Sequence, residues 1–292
     1  MESKPLVSVL MTVYNREKYI AEAIESILAS TYKNWELIIV DDRSKDSSVS
    51  IAESYAEKDK RVKVFINEQN LGDYPNRNKA ASYAKGKYLK YVDADDMIYP
   101  NGLEELVFYM EKFPNATYGL CSLPQDKFKI FPFELSPEEA YQRHYFKEQL
   151  FHKAPLSAII KREVFISENG FTGKRMLGDF EMWHLLSQKY PVVLMPQGIA
   201  WYREHDEQEM SDHRSNPMEP FKYMLLADEL LKSSKCPLSE LEVEKALKLN
   251  KKKQCRAIAS AFKYHSVKKA LELKKESDVS FLSVLKQVIS RI

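Results

Sequence analysis

The first hundred residues alternate apolar, β-branched runs with helical patterns, and this alternation restricts the chain to an α/β fold built from βαβ units. Leu6–Val13 reads as a buried strand, Trp35–Val40 as a second, Val62–Phe65 as a shorter third and Tyr88–Val92 as a fourth. Between them, Ile20, Ala23, Ile24, Ile27 and Leu28 recur at helical spacing, and Asn15 is placed to cap that helix. Ser44 or Asp46 can cap the next, whose inner face carries Val49, Ala52 and Ala56. A third helix is expected over Pro75–Ala84, closed by Gly86, and a fourth from near Pro100, burying Leu103, Leu106 and Met110. The implied sheet is mainly parallel, and in such sheets ligands bind outside the carboxyl ends of the strands. There the first, second and fourth strands deliver Thr12–Asn15, Asp41-Asp42 and Asp93-Ala94-Asp95-Asp96.

Beyond residue 115 the pattern loosens. Residues 122–150 read as a long loop with a short helix around Pro137–Tyr145, and Ser157–Ile160 and Val192–Met195 as two further strands. From about Pro217 the chain is rich in Leu, Lys and Glu and reads as helical. Charge divides at about the same place. Residues 221–292 hold 16 Lys+Arg and 8 Asp+Glu, net +8, which leaves residues 1–220 at −6 within an overall +2. A catalytic domain over residues 1–215 and a basic, mainly helical region over residues 216–292 are therefore expected.

The acidic clusters carry the chemistry. Three carboxylates within four residues repel one another unless a cation or hydrogen-bond donors compensate them. A hard divalent cation that also takes phosphate oxygens suits Asp93, Asp95 and Asp96, while a solvated turn with an Asp capping the next helix is the alternative. Asp41-Asp42 at a second strand end favours a site, although Asp-Arg-Ser-Lys-Asp is also good helix-start sequence.

These fragments together resemble the family 2 glycosyltransferases of GT-A fold. The resemblance rests on Val9–Asn15, Ala23–Leu28, Trp35–Ser44, Asn70-Leu71-Gly72 with Asn76–Ala80, and Gly86-Lys87-Tyr88 leading to Asp93–Asp96. It runs densely over residues 6–110 and resumes over 170–211. It implies an inverting enzyme using a nucleotide-sugar donor, UDP-linked first among them, with Mn²⁺ or Mg²⁺. It places Thr12, Tyr14 and Asn15 at the base and ribose, Asp42 on the base, Arg77 at the base or phosphates and Asp95 at the ribose or donor sugar. Asp96 is the implied metal ligand, with Asp93 as the alternative. Gly178-Asp179-Phe180-Glu181-Met182-Trp183, preceded by Gly170-Phe171, resembles the family's Asp-x-x-x-Trp element, with Gly178 where an acidic residue is common. Asp179 is the implied catalytic base and Glu181 the substitute, against a purely structural reading of Asp179 as a helix cap and Trp183 as core. Trp201–His205 followed by Ser211 resembles a further element, in which Arg203 contacts phosphate or anchors its loop and His205 binds the metal or diphosphate.

Neither G-x-G-x-x-G nor a P-loop is present, which disfavours dehydrogenases and P-loop NTPases, and Thr12–Asn15 lacks the glycines of a nucleotidyltransferase loop. A degenerate, sugar-nucleotide-binding scaffold is a second alternative, opposed by the retained acids. Nucleic-acid binding is disfavoured by the missing aromatic-basic platforms. No Gln-x-x-Arg-Trp motif and no run of ~18–20 apolar residues occurs, unlike a processive synthase. A single transfer to a glycan or lipid-linked acceptor is expected, in cell-surface polysaccharide or glycoconjugate synthesis. Three scattered cysteines and no signal-peptide pattern fit a cytoplasmic protein. The basic region reads either as a solvated face packed on its own domain or a second subunit in a homodimer, or as a peripheral contact with the inner membrane face.

Overall fold

The computed structural model describes residues 4–205 and 216–289; Ser211 and the expected boundary at 215 lie outside them. The chain forms two compact units, one of residues 1–140 and 149–203, the other of residues 141–148 and 204–292.

The first unit is built on an eight-stranded sheet. Its strands are β1 (Val7–Val13), β2 (Trp35–Asp41), β3 (Val62–Ile66), β4 (Tyr88–Tyr91), β6 (Tyr118–Leu123), β7 (Phe133–Leu135), β8 (Ala158–Lys161) and β9 (Val192–Pro196), in the order β3-β2-β1-β4-β8-β6-β9-β7. β3, β2, β1 and β4 are parallel, as are β6 and β9, whereas β8 and β7 run antiparallel to their neighbours. A short two-stranded ribbon joins β5 (Met97–Ile98) to β10 (Ala200–Trp201). That pairing brings the chain after residue 200 back to the acidic segment after β4.

Six helices complete this frame: α1 (Ile20–Leu28), α2 (Ser48–Ala56), α3 (Asp73–Tyr83), α4 (Gly102–Lys112), α6 (Arg162–Ser167) and α7 (Gly178–Ser187); α5 (Pro137–Phe146) leads into the second unit. The apolar alternation predicts which faces meet. Val9 and Met11 of β1, Leu37 and Ile39 of β2, Ile24 and Ile27 of α1, and Leu103, Leu106 and Met110 of α4 are buried in one core. Each such side chain contributes roughly 1.5–3 kcal/mol on burial.

Two local expectations change. Asn15 does not cap α1, which starts five residues later; it takes a left-handed conformation (φ 51). Its N–H donates to Ser44 Oγ at 2.9 Å, and its Oδ1 accepts from the Lys45 N–H at 2.8 Å. Its amide thus ties the β1 loop to the β2 loop, a long-range bond that wins over the local cap. The segment expected to be loop around residue 133 contains β7, an edge strand paired with β9. Three residues are too short a run for an alternation pattern to reveal.

The second unit contains α8 (Met218–Leu231), α9 (Glu240–Tyr264), α10 (Val267–Glu276) and α11 (Phe281–Ile289). Ser239 and Glu242 form a reciprocal capping box at the start of α9. Phe221, Ile258, Ala261, Ala270, Leu273 and Val284 share a small core. No helix among the described residues is long and apolar enough to cross a membrane.

Candidate active site

The segment after β2 turns directly into a buried polar network. Asp42 Oδ1 accepts from the Leu71 N–H at 2.7 Å and Asn67 Nδ2 at 2.9 Å, and its Oδ2 accepts from the Gly72 N–H at 2.8 Å. Gly72, at φ 85, takes a backbone conformation that suits glycine at the start of α3. Asn67 also donates to Asn76 Oδ1, whose own amide reaches the Val40 carbonyl at 3.1 Å, so α3 is pinned to the end of β2. The neighbouring Asp41 is buried. Its Oδ1 accepts from the Ser44 N–H, while its Oδ2 has no hydrogen-bond partner among the described residues. Thr12, the last residue but one of β1, is half-buried, and Tyr14 just beyond the strand is exposed.

The carboxylates after β4 are held one by one. Arg77 of α3 donates through both terminal nitrogens to Asp93, at 2.6 and 3.0 Å, and through Nε to Asp73 at 2.7 Å. Burial alone would pull the Arg77 pKa down, but Asp73 and Asp93 outweigh it and raise the pKa well above its usual range. Asp95 pairs with Arg16 Nε at 2.9 Å. Asp96 is almost fully buried and accepts from the Arg203 N–H at 3.0 Å. Burial and then the charge of Asp93 push its pKa up to about 8. Arg203 also donates from Nε to the Asp95 carbonyl at 2.9 Å and from Nη2 to Glu22 at 2.5 Å, and it lies over the rings of Tyr19 and Trp201. The β5–β10 ribbon is what delivers Arg203 to this segment. His205 belongs to the second unit. Among the described residues no three His, Cys, Asp or Glu side chains are grouped to hold a metal.

Asp179 lies in the first turn of α7, and Tyr74 of α3, three residues before Arg77, seats it. The Tyr74 hydroxyl accepts from the Asp179 N–H at 3.2 Å, and Asp179 Oδ1 accepts from the Phe180 N–H at 2.6 Å. Asn78, one turn on, exchanges two hydrogen bonds with the backbone of Phe171, at 2.8 and 2.9 Å, and the Phe171 ring contacts Tyr74. Burial raises the Asp179 carboxyl to about 6, against the lowering effects of the Phe180 N–H, Arg77 and Tyr74. The glycine before it has a physical reason. A Cβ at position 178 would stand 2.8 Å from the Tyr74 ring, so the acidic residue common there does not fit. Glu181 is spoken for by Thr172 and by Lys174 at 2.8 Å. Trp183 is core: fully buried, stacked on Tyr118, with Nε1 donating to the Lys153 carbonyl.

Sequence reasoning misses Arg16, Asp73, Tyr74 and Asn78. The spacing of 73, 74, 77 and 78 along α3 is a usable signal for neighbouring positions, but nothing local tells which partners they meet.

The fold is that of the GT-A glycosyltransferases. Staphylococcus aureus TarS (residues 1–349), solved in complex with UDP-GlcNAc, superimposes with a TM-score of 0.67 at 19% identity, covering 96% of this chain and 79% of that one. The mannosyltransferase PcManGT of Pyrobaculum calidifontis, in complex with GDP-Man and Mn²⁺, gives 0.64 at 16% identity over 99% and 87%. The family model "Glycosyl transferase family 2" matches residues 8–167. Glycosyltransferase GlyG of Streptococcus pneumoniae serotype 4 is 42% identical over 214 residues, 68% of this chain and 70% of its own. The chain belongs to glycosyl transferase family 2. It spans 36% to 57% of the length of five further curated relatives, all glycosyltransferases by name.

Proposed function

We propose that this protein transfers a single sugar, with inversion, from a nucleoside diphosphate sugar to a hydroxyl of a glycan or lipid-linked acceptor. The observation that carries the reading is the double use of α3. Arg77 on this helix grips Asp93 of the donor side, and Tyr74 one turn earlier seats Asp179. A base and a donor site must be held in fixed relation for one carboxylate to take a proton while the anomeric carbon is attacked.

In this reading Thr12, Tyr14, Asn15 and Asp42 hold the base and ribose, with uracil the first candidate given the UDP-GlcNAc bound by TarS. Asp42 stands at the base through its loop, since its carboxylate orders Leu71 and Gly72. Asp95 serves the ribose or donor sugar. Arg77 and Arg203 act on the diphosphate side, chiefly by fixing Asp93 and Asp95-Asp96. Asp179 removes the acceptor proton; its raised pKa suits a base that works near neutrality.

The buried, proton-retaining Asp96 is the residue whose chemistry fits a divalent cation, with Asp93 beside it. Cations of this kind bind through one or two carboxylates plus substrate phosphates rather than in an all-protein cage. Bound there, Mn²⁺ or Mg²⁺ would supply charge neutralisation on the departing diphosphate.

Donor binding tests the reading most directly. UDP-sugars should raise the melting temperature more in the presence of Mn²⁺ than without it, and GDP-sugars less. Asp179→Asn should lower kcat by ~10²–10⁴-fold while donor Kd is unchanged. A chain that binds no nucleoside diphosphate, or an Asp179→Asn variant with full activity, would overturn it.

A further inference from the structure

Within the second unit, α11 buries Val284 against the small helical core but leaves Phe281 and Leu282 exposed, with Leu285 54% exposed. On α10, Ala270 and Leu273 face that core, while Val267 and Leu271, one turn apart, are exposed. Lys268 and Lys275 are exposed on the same outer side of α10, because residues 267, 268, 271 and 275 fall within about one third of the helical circumference. Lys274 lies over the Phe281 ring and links the two helices. Residues 263–286 carry six lysines against Glu272, Glu276 and Asp278, and Lys252, Arg256 and Lys263 continue the basic character along exposed positions of α9.

Solvent alone does not account for several large apolar side chains laid bare on adjoining helices and framed by lysine. An apolar stripe flanked by basic side chains is the composition of a helix that lies in a lipid interface, with the apolar groups at the acyl boundary and the ammonium groups at anionic phosphates. A second copy of this unit is a poor occupant, because residues 221–292 would bring net +8 against net +8. A nucleic acid would satisfy the lysines but not Leu271, Leu282 or Leu285. We propose that the outer face of α10 and α11 docks on a membrane surface rich in anionic phospholipid. The proposal stands apart from the transfer chemistry, since it is tested without donor or acceptor.

The test is co-sedimentation of the full chain with phosphatidylcholine vesicles, with and without phosphatidylglycerol. Retention is expected on the phosphatidylglycerol vesicles only and should weaken as salt is raised. Leu282→Glu combined with Leu285→Glu should release the protein with its helical circular dichroism unchanged. Lys268→Gln and Lys275→Gln, at exposed positions where the fold is not at stake, should each lower partitioning about fivefold. Three outcomes overturn the proposal: no retention on anionic vesicles, retention indifferent to all four substitutions, or a dimer in solution that Leu282→Glu dissociates.

Discussion

Asp42 and Asp93, past the ends of β2 and β4, are held in the opposite way to Asp179 at the start of α7, whereas Asp96 shares with Asp179 a pKa raised by burial. Asp42 receives two backbone N–H groups and an amide, and Asp93 faces both terminal nitrogens of a buried guanidinium. Their charges are met by fixed donors. Asp179 receives the Phe180 N–H and sits beside Tyr74, and burial outweighs both, pushing its pKa up to about 6. A carboxylate compensated by fixed donors organises its surroundings; one left short of them exchanges a proton near neutral pH. In the proposed reading Asp42 and Asp93 hold and Asp179 reacts, and α3 carries partners of both Asp93 and Asp179.

The largest break in this arrangement should come from Arg77→Met. It leaves Asp73 and Asp93 without their buried partner, and removing one side of a buried ion pair costs about 3–5 kcal/mol. Chemical denaturation should show that loss, and a cost under about 1 kcal/mol would mean that water replaces the guanidinium with little penalty. Gly178→Ala comes next. The added methyl group meets the Tyr74 ring, and overpacking of this kind costs about 1–3 kcal/mol. Because the clash falls beside Asp179, kcat should fall more than stability accounts for, and Tyr74→Leu in the same chain should relieve the steric cost.

A smaller effect concerns stability itself. The folded-state pKa of Asp179 lies above its ordinary 3.8, so the folded protein holds that proton more tightly than the unfolded chain does. Its contribution therefore favours folding most below pH about 4 and is lost as pH rises towards about 6. At pH 7 Asp179→Asn should raise the melting temperature by about 2–4 °C while lowering kcat by ~10²–10⁴-fold. A lower melting temperature would show that the ionised carboxylate is compensated after all. The finest distinction is Tyr74→Phe. The wild-type pH profile of kcat/KM should fall off on the acid side near pH 6, where Asp179 gains its proton. Loss of the hydroxyl, which holds that pKa down, should move the acid limb to higher pH. An unmoved limb would separate Tyr74 from the base.

Much of the first half is legible in the sequence. The alternation from Val7 to Tyr91 defines β1–β4 and the helices between them, because apolar periodicity depends only on neighbours along the chain. It also places Asp41-Asp42 and Asp93–Asp96 at or just past the ends of the second and fourth strands. The second half is harder to read because its elements are short and its sheet is mixed. β7 has three residues, too few for a period to announce it, whereas the strand read over Ser157–Ile160 lies one residue off β8.

The first four strands, the acidic strand ends and the Asp179–Trp183 spacing are thus determined by the sequence itself. Which acid is paired and which left reactive is decided only by tertiary structure. The decisive partners lie far off along the chain: Tyr74 meets Asp179 across 105 positions, Arg203 meets Asp96 across 107, and Arg16 meets Asp95 across 79. A carboxylate's charge state follows from burial and from the donors around it, and both are properties of the folded surroundings rather than of the residue. Gly178 carries the same lesson: an unexplained departure along the chain, it is in the fold the space that the Tyr74 ring requires.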